Sequence, residues 1–251
     1  MRRDLTAAGV VWLLVTLASA AATYFLMDPF PTQGAEEAKE LDDAFLVMTY
    51  MASPVFGLVF AAVTYSVIRF RSPGQPTEDG PAISGEGAVP RVWLVLTTIL
   101  AVVVMIYPGL IGLAELRADE TSELDISVTG MMWQWVIEYP DSEVRISGKD
   151  TMVLPADTRI KFDITSLDVV HSFWVPAFRQ KIDAVPGQTT TMYLTMADPS
   201  DPEDPEAAYR LQCAELCGLL HSDMVLPVQV VEREAFESWL NEKSQSAARV
   251  R

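Results

Sequence analysis

Three long runs without a charged residue dominate the first half of the chain. They cover residues 5–27, 44–68 and 92–114. Each run is long enough to cross the hydrocarbon core of a bilayer, which takes about 20 residues of helix. Pro54 and Pro108 lie inside the second and third runs, where a membrane helix tolerates proline if neighbouring helices surround it. The runs therefore predict up to three membrane-spanning segments.

The basic residues near these runs predict how the chain is oriented. Lys39 lies between the first two runs, and the other flanking positions carry Arg2, Arg3, Arg69, Arg71 and Arg91. Because basic residues concentrate in cytoplasmic loops, residues 71–91 are predicted to be cytoplasmic. Residues 28–43 then form an external acidic loop, residues 44–70 form a span, and everything after the span at 92–114 lies outside.

Residues 1–27 fit a second interpretation. Arg2 and Arg3 precede the apolar run, and small residues at positions 18–22 resemble a signal-peptide cleavage region. The sequence leaves both possibilities open, so this segment is either a signal peptide or the first membrane span.

Beyond residue 120 the apolar pattern acquires a period of two, which is typical of half-buried strands. Ile160, Phe162 and Ile164 alternate with polar residues. Other short strands are predicted at residues 124–129, 133–139, 191–196, 209–213 and 227–231. The pattern predicts an all-β outer domain over residues 120–243, built as an antiparallel sandwich or barrel. A short amphipathic helix at 232–242 would end it, and residues 244–251 would form a frayed tail.

The formal net charge of −16 restricts the partners of the chain. Nucleic acid is excluded as a predicted partner, because phosphate binding requires a basic face. An acidic outer surface either attracts a basic protein or only keeps the domain soluble.

Residues 213–224 concentrate the strongest metal-binding side chains. The segment contains Cys213, Cys217, His221 and Met224. It holds both cysteines of the protein and one of its two histidines, the other being His171. Thiolate, imidazole and thioether groups are ligands that copper prefers, so the segment predicts a copper site.

Two other uses of these residues remain open. A Cys213–Cys217 disulfide is the first, although a helical turn between them would place the Cβ atoms about 5–6 Å apart, farther than the roughly 3.5–4.5 Å of a disulfide. A structural zinc site made of the same cysteines and histidines is the second. Met224 favours copper over zinc, because zinc gains little from a thioether.

The pattern Cys-x-Glu-x-Cys-x-x-x-His-x-x-Met resembles subunit II of cytochrome c oxidases of the haem–copper type. The stretches DVVHSFWVP at 168–176 and DAVPG at 183–187 belong to the same resemblance, which covers most of the chain and is weakest at its N-terminus. It implies a membrane α-helical hairpin of two or three spans, followed by an all-β cupredoxin-like Greek-key domain.

The resemblance also implies a dinuclear copper A centre. Its ligands would be His171, Cys213, Glu215, Cys217, His221 and Met224. In this scheme the two cysteines bridge two copper ions and each histidine binds one. The thioether is a weak ligand to one copper, and the backbone carbonyl of Glu215 is a weak ligand to the other. The Glu215 side chain would help bind a magnesium or manganese ion at the boundary with the catalytic subunit.

The stretch MMWQW at 131–135 resembles the segment through which electrons from cytochrome c enter the family, with Trp133 as the entry residue. The family usually has an aromatic residue where this chain has Gln134. Glu138 and Asp168 fall where the family places acids that attract cytochrome c, and are otherwise simply exposed carboxylates.

The resemblance thus implies the electron-entry subunit of a terminal oxidase in a prokaryotic plasma membrane, with the copper domain on the outer face. It would take electrons from cytochrome c or a similar donor and pass them to haem in subunit I. Oxygen reduction and proton translocation would take place there, and no catalytic residue is expected on this chain. The family often carries an acid shortly before the tryptophan of the last span, and none occupies that position before Trp93.

Three other functions share features with this sequence pattern. A quinol oxidase subunit would lack the copper ligands, which are all present. The copper A subunit of a different reductase is one alternative, and a membrane-tethered copper- or zinc-binding β-domain without an oxidase role is another.

Overall fold

The computed structural model describes residues 2–26, 30, 32–71, 74, 85–117, 120–200 and 209–250. The chain divides into two compact units. The first consists of Met1–Phe30 and Asp43–Glu115, and the second of Pro31–Asp42 and Leu116–Arg251. Most of the predicted cytoplasmic loop, at 72–73 and 75–84, lies outside the described residues.

The first unit is helical. Its elements are α1 (Arg2–Leu26), α2 (Glu37–Arg69), α3 (Ala88–Val104), a π-helical turn (Met105–Leu110) and α4 (Ile111–Leu116). The helical stretches Arg3–Phe25, Glu37–Arg69 and Ala88–Leu116 are long and apolar enough to cross a membrane. The third is interrupted before Pro108, where Tyr107 adopts a non-helical φ of −135° and ψ of 122°.

Helices α1 and α2 approach each other at a few specific positions. The indole of Trp12 donates a hydrogen bond of 2.8 Å to the carbonyl of Pro54. A Cβ at Gly57 would lie 2.5 Å from Thr16 Oγ1, so only glycine allows this close approach. Small residues that let two backbones approach are typical of helix pairs in membranes. The predicted first apolar run therefore has a specific partner in the second.

The second unit is a β-sandwich. Its strands are β1 (Leu124–Met131), β2 (Gln134–Tyr139), β3 (Val144–Ser147), β4 (Met152–Pro155), β5 (Arg159–Ser166), β6 (His171–Trp174), β7 (Lys181–Ala184), β8 (Thr190–Thr195), β9 (Arg210–Cys213) and β10 (Val225–Val231). One five-stranded sheet has the order β3-β2-β1-β5-β8, and the other has the order β4-β10-β9-β6-β7. The predicted fold class, apolar helices followed by a cupredoxin-like β-domain, is confirmed.

The prediction of a purely antiparallel sandwich is wrong. Strands β1 and β5 pair in parallel, and so do β4 and β10. A period of two reports which face of a strand is buried, but it carries no information about the direction of the neighbouring strand. Alternation along β5 does match the structure, since Ile160, Phe162 and Ile164 are fully buried.

The sequence reading missed four strands of only four residues each: β3, β4, β6 and β7. All four residues of β4 are buried, and three of the four in β6 are buried. Strands β4 and β6 show no alternation, and β3, whose residues do alternate, is too short for period-two analysis to detect.

The C-terminal helix is longer than predicted. Helix α5 spans Arg233–Val250, so the backbone of the supposed frayed tail is helical up to residue 250. Phe236 and Trp239 pack their rings against Tyr139, with centroids 6.1 and 5.3 Å away. The apolar face of the helix therefore closes one side of the sandwich.

The segment Pro31–Asp42, predicted to be an external loop, belongs to the β-domain, and α2 already starts at Glu37. The Glu37 carboxylate accepts hydrogen bonds from the Thr195 backbone N–H at 3.0 and 3.1 Å and is ion-paired with Arg159. Asp42 forms a bidentate pair with Arg179, at 2.7 and 3.1 Å. These contacts cover the end of edge strand β8 and extend the domain beyond its predicted limits of 120–243.

Candidate metal centre

The candidate ligands lie where adjacent strands of the second sheet end. His171 begins β6, Cys213 ends β9, and Met224 directly precedes β10. The Cys213 N–H donates to the Met224 carbonyl at 3.2 Å, and the Ala214 N–H donates to the Ser172 carbonyl at 3.0 Å. The loop between β9 and β10 is thus closed at its base and held against β6.

The loop brings the predicted ligand atoms into one cluster. Cys213 Sγ lies 3.8 Å from His171 Nδ1 and 3.8 Å from Cys217 Sγ. Cys217 Sγ lies 3.6 Å from His221 Nδ1 and 3.9 Å from Met224 Sδ. The two sulfur atoms therefore occupy the middle, with one imidazole beside each of them.

The connection between the two cysteines is not helical, so the spacing argument that assumed a helical turn does not apply. The loop places the Glu215 carbonyl oxygen 3.1 Å from Cys213 Sγ. Both cysteines are free, and their sulfur separation is far from the roughly 2.05 Å of a disulfide bond.

The sulfur atoms are largely withdrawn from water. His171 and Met224 are fully buried, and Cys213 and Cys217 are nearly so. Burial, followed by the neighbouring Cys213, raises the pKa of the Cys217 thiol to about 11. A buried thiolate is stable here only beside a positive charge, which is what a bound metal ion provides.

Asp168 contacts the imidazole of His171 at the ring nitrogen that faces away from the sulfur atoms. Its Oδ1 lies 2.8 Å from His171 Nε2, and its Oδ2 accepts a hydrogen bond of 2.7 Å from the Met132 N–H. Partial burial alone would raise the pKa of Asp168, but hydrogen bonds from Met132, His171 and Val169 outweigh it and lower the pKa. Asp168 is an exposed residue, as the sequence-based alternative expected, and its carboxylate is in addition hydrogen-bonded to His171 and to the Met132 backbone. The Asp-x-x-His spacing was the sequence signal for this contact.

Trp133 lies against the metal-binding loop. It sits in the turn between β1 and β2, and its indole N–H donates to the Cys217 carbonyl at 3.2 Å. Gly218 has a φ of 118°, and a Cβ there would lie 3.3 Å from the Trp133 indole nitrogen. The glycine thus permits both the loop conformation and the close packing of the ring, a role that the sequence reading missed.

The remaining predicted residues lie outside the cluster. The side chain of Glu215 is exposed, and only its carbonyl points to the sulfur atoms. Glu138 is partly exposed on β2 and pairs with Arg145 at 3.4 Å. Around the loop, Leu216 and Leu219 project into solvent, with 79% and 88% of their surface exposed.

The donor set matches copper. Two sulfur atoms from cysteine, two ring nitrogens and one thioether form a soft and borderline set, which favours copper over the hard cations that oxygen ligands bind. The central position of both cysteine sulfurs would allow each to bind two ions. The carbonyl of Glu215 adds a weak oxygen donor on one side.

Comparison with known proteins gave consistent matches. The family model described as "Cytochrome C oxidase subunit II, periplasmic domain" matches residues 142–231. Heme-copper oxidase subunit 2 of Aeropyrum pernix is 32% identical over 214 residues, which cover 78% of this chain and 87% of the relative. A probable cytochrome c oxidase subunit 2 of Rickettsia felis is 27% identical over 260 residues, covering 93% of this chain and 79% of the relative. The crystal structure of the periplasmic domain of subunit II of cytochrome oxidase from Bradyrhizobium japonicum is 30% identical, with a TM-score of 0.45, over 50% of this chain and 96% of that one.

Proposed function

The chain belongs to the subunit II family of the haem–copper oxidases, and we propose that it receives electrons at a dinuclear copper A centre held by the loop between β9 and β10. Subunit II is the electron-entry subunit of these oxidoreductases. Membership of the family implies copper binding, and the number of copper ions and the ligand assignment are the proposal.

The observation that carries this proposal is the central position of the two sulfur atoms. The proposed ligands are His171, Cys213, Glu215 through its carbonyl, Cys217, His221 and Met224. Each sulfur lies within 3.8 Å of the other and has its own histidine. A single copper of the blue type uses one cysteine, whereas this arrangement offers two equivalent sulfur bridges.

The residues of the chain serve the site in three ways. The sulfur and nitrogen atoms would bind the copper, and the strands β6 and β9 fix the positions of these ligands. Burial keeps water away from the cysteines. When bound, copper held by Cys213, Cys217, His171 and His221 would supply one-electron redox chemistry. A rigid, dry pocket supports such chemistry, because little solvent reorganises on electron transfer.

Electron entry is assigned to Trp133. Its ring packs on Gly218, and its indole is hydrogen-bonded to the backbone of Cys217. The contact of this aromatic ring with the backbone of a proposed bridging cysteine supports the assignment. The proposed donor is cytochrome c or a similar outer protein, with Glu138 and Asp168 as docking acids, and the proposed acceptor is haem in subunit I.

We place the protein in a prokaryotic plasma membrane, with the β-domain on the outer face. Three helices are long and apolar enough to span, and the distribution of arginine supports this orientation. A magnesium or manganese ion bound through the exposed Glu215 carboxylate is proposed for the boundary with subunit I.

Residues 1–27 are proposed to be retained as the first span. Besides the contact of Trp12 with Pro54, the Tyr65 hydroxyl on α2 donates to Asp4 Oδ1 at 3.0 Å. Removal of α1 would leave both polar groups without these partners. The intact mass of the membrane-extracted protein checks this, since a mature chain that lacks the segment would contradict it.

The decisive experiment is copper analysis with electron paramagnetic resonance on the full chain, purified in detergent and reconstituted with copper. Two copper ions sharing one unpaired electron are expected, and Cys217→Ser should abolish the shared signal. One localised copper ion, or zinc bound in preference to copper, would overturn the proposal and favour a membrane-tethered metal-binding domain.

A further inference from the structure

Both carboxylate oxygens of Asp168 accept hydrogen bonds from neighbouring groups of the protein, although the residue is exposed. Oδ1 lies 2.8 Å from His171 Nε2 and accepts from the Val169 N–H at 2.7 Å. Oδ2 accepts from the Met132 N–H at 2.7 Å. The Asp168 N–H donates in turn to Ser166 Oγ at 3.2 Å. A carboxylate with both oxygens committed in this way is part of the framework of the site.

We propose that Asp168 is a positioning residue for the His171 ligand and for the turn that carries Trp133. The proposal rests on the proposed copper function and adds a role within it that differs from the docking of a partner. The carboxylate acts through His171 and the Met132 backbone, and it makes no contact with the cysteine sulfurs among the residues that the structure describes.

The first step of the argument concerns the orientation of the His171 ring. With Nδ1 facing Cys213 Sγ, Nε2 must carry the proton and donate it to Asp168. A carboxylate that accepts from a histidine ligand fixes both the tautomer and the ring angle, and makes the ligand more basic. Close neighbours leave the ring little freedom, since a Cβ at Gly130 would lie 3.0 Å from its Cδ2 and the Trp135 ring packs edge-on with its centroid 6.0 Å away.

The second histidine provides an internal contrast. His221 Nδ1 faces Cys217 Sγ in the same way. Within the part of the chain that the structure describes, however, its Nε2 has no hydrogen-bond partner, and the residue is partly exposed. The two histidines are therefore inequivalent: one is fully buried beside a negative charge, and the other can exchange its proton with solvent.

The second step links this ligand to electron entry. The bond from the Met132 N–H to Oδ2 ties the turn between β1 and β2 to the segment that precedes β6. Trp133 follows Met132 directly. A single side chain thus sets the position of a ligand and of the adjacent entry tryptophan, so its loss should disturb both.

The test uses Asp168→Asn in the full, copper-loaded chain, with Asp125→Asn as the matched control. An amide accepts at only one oxygen, so it cannot serve His171 and Met132 at once. Asp125 lies on β1, is about half exposed and pairs only weakly with Lys161 at 3.8 Å. We expect Asp168→Asn to weaken copper binding roughly 10- to 100-fold and to raise the reduction potential, because removing a negative charge favours the reduced centre.

The salt dependence separates positioning from docking. A docking charge acts through long-range attraction, which is screened at high ionic strength. The changes in copper affinity, potential and hyperfine pattern should persist in high salt and without any donor protein. If Asp168→Asn matches Asp125→Asn in copper affinity, potential and hyperfine pattern, and only slows the reaction with a basic donor at low salt, Asp168 acts solely as a docking acid and the positioning proposal is wrong.

A measurement on the unaltered protein covers the case in which the variant does not fold. Proton NMR of the paramagnetic centre in H2O and D2O should show one slowly exchanging imidazole N–H, from His171, and one rapidly exchanging N–H, from His221. Equal exchange rates of the His171 and His221 imidazole N–H groups would contradict the proposal. If the unaltered chain gives no shared-electron copper spectrum at all, the proposed function fails instead, so the two failures are distinguishable.

Discussion

The indole nitrogen of Trp133 donates a hydrogen bond of 3.2 Å to the backbone carbonyl of Cys217. The proposed entry tryptophan is therefore joined directly to a candidate ligand, although the two residues lie far apart in the sequence. The bond gives the ring a defined position over the metal-binding loop, and it suggests how electron entry and the loop are connected.

Replacement of this donor should slow electron entry while the metal site remains. Trp133→Phe keeps an aromatic ring but removes the N–H, which should destabilise the protein by about 0.5–1.5 kcal/mol. We expect the copper spectrum to persist and the rate of photochemical electron injection to fall. Trp239→Phe is the control, because Trp239 packs on Tyr139; it should alter stability without altering the injection rate. Equal rates in the two variants would contradict the assignment of Trp133.

The thioether of Met224 should affect the metal and have little effect on folding. Met224 and Met152 are both fully buried, and replacing either with leucine conserves volume at a cost below about 1.5 kcal/mol. Met224→Leu should change the copper hyperfine pattern, because Met224 Sδ lies 3.9 Å from Cys217 Sγ. Met152→Leu should leave that pattern intact. Identical resonance spectra of the two variants would argue against Met224 as a ligand.

Gly218 should tolerate no side chain. Its φ of 118° is a region that other residues rarely adopt, and a Cβ would press on the Trp133 ring. Gly218→Ala is expected to cost about 1–3 kcal/mol through backbone strain and to displace the ring, slowing electron injection. Gly148→Ala provides the comparison, since Gly148 also has a positive φ, of 69°, but has nothing within 4 Å. It should reduce thermal stability only.

The hydroxyl of Tyr139 should contribute to the stability of the β-domain. It donates to the Val153 carbonyl at 2.8 Å and accepts from the Val153 N–H at 3.2 Å. Tyr139→Phe leaves buried backbone groups unpaired, so unfolding by denaturant should become easier by about 1–3 kcal/mol. Tyr193→Phe, at a half-buried position on β8, should have a smaller effect.

Tyr139 also predicts a pH dependence. Burial raises the pKa of Tyr139 far above its ordinary value, so the folded chain keeps the phenol neutral. The contribution of the Tyr139 hydroxyl to the free energy of unfolding is fully present below about pH 10, the ordinary pKa of tyrosine. It decreases at higher pH, because the tyrosine ionises in the unfolded chain. Denaturant titrations of the unaltered protein and Tyr139→Phe should therefore converge as the pH rises above 10.

The pair formed by Asp42 and Arg179 should hold the Pro31–Asp42 segment on the β-domain. Both side chains are nearly buried, with 12% and 11% of their surface exposed. Asp42→Asn removes the negative charge from this nearly buried pair, and breaking such a pair costs about 3–5 kcal/mol. Asp43→Asn, at the exposed neighbouring position, should have little effect. Equal melting temperatures of the Asp42→Asn and Asp43→Asn variants would show that the segment does not stabilise the domain.

The sequence by itself determined the parts that depend on local composition and periodicity. Uncharged runs specify helices able to span a membrane, because their length and polarity match a bilayer. Alternation along β5 and β8 specifies strands with one buried face. The scarcity of cysteine and histidine, with most of them in residues 213–224, indicated the metal site, because ligand chemistry depends on residue type.

The tertiary structure decided the parts that depend on contacts between distant segments. Spacing alone left the conformation between Cys213 and Cys217 open, and the folded loop is non-helical, with its base closed and hydrogen-bonded to β6. The parallel pairing of β1 with β5, and the attachment of residues 31–42 to the β-domain, have no signal in local periodicity. Asp168 resembled a docking acid in the sequence, and only the folded chain places its carboxylate between His171 and Met132. Pairing of this kind is set by the positions of backbones remote in sequence, which propensity and spacing do not encode.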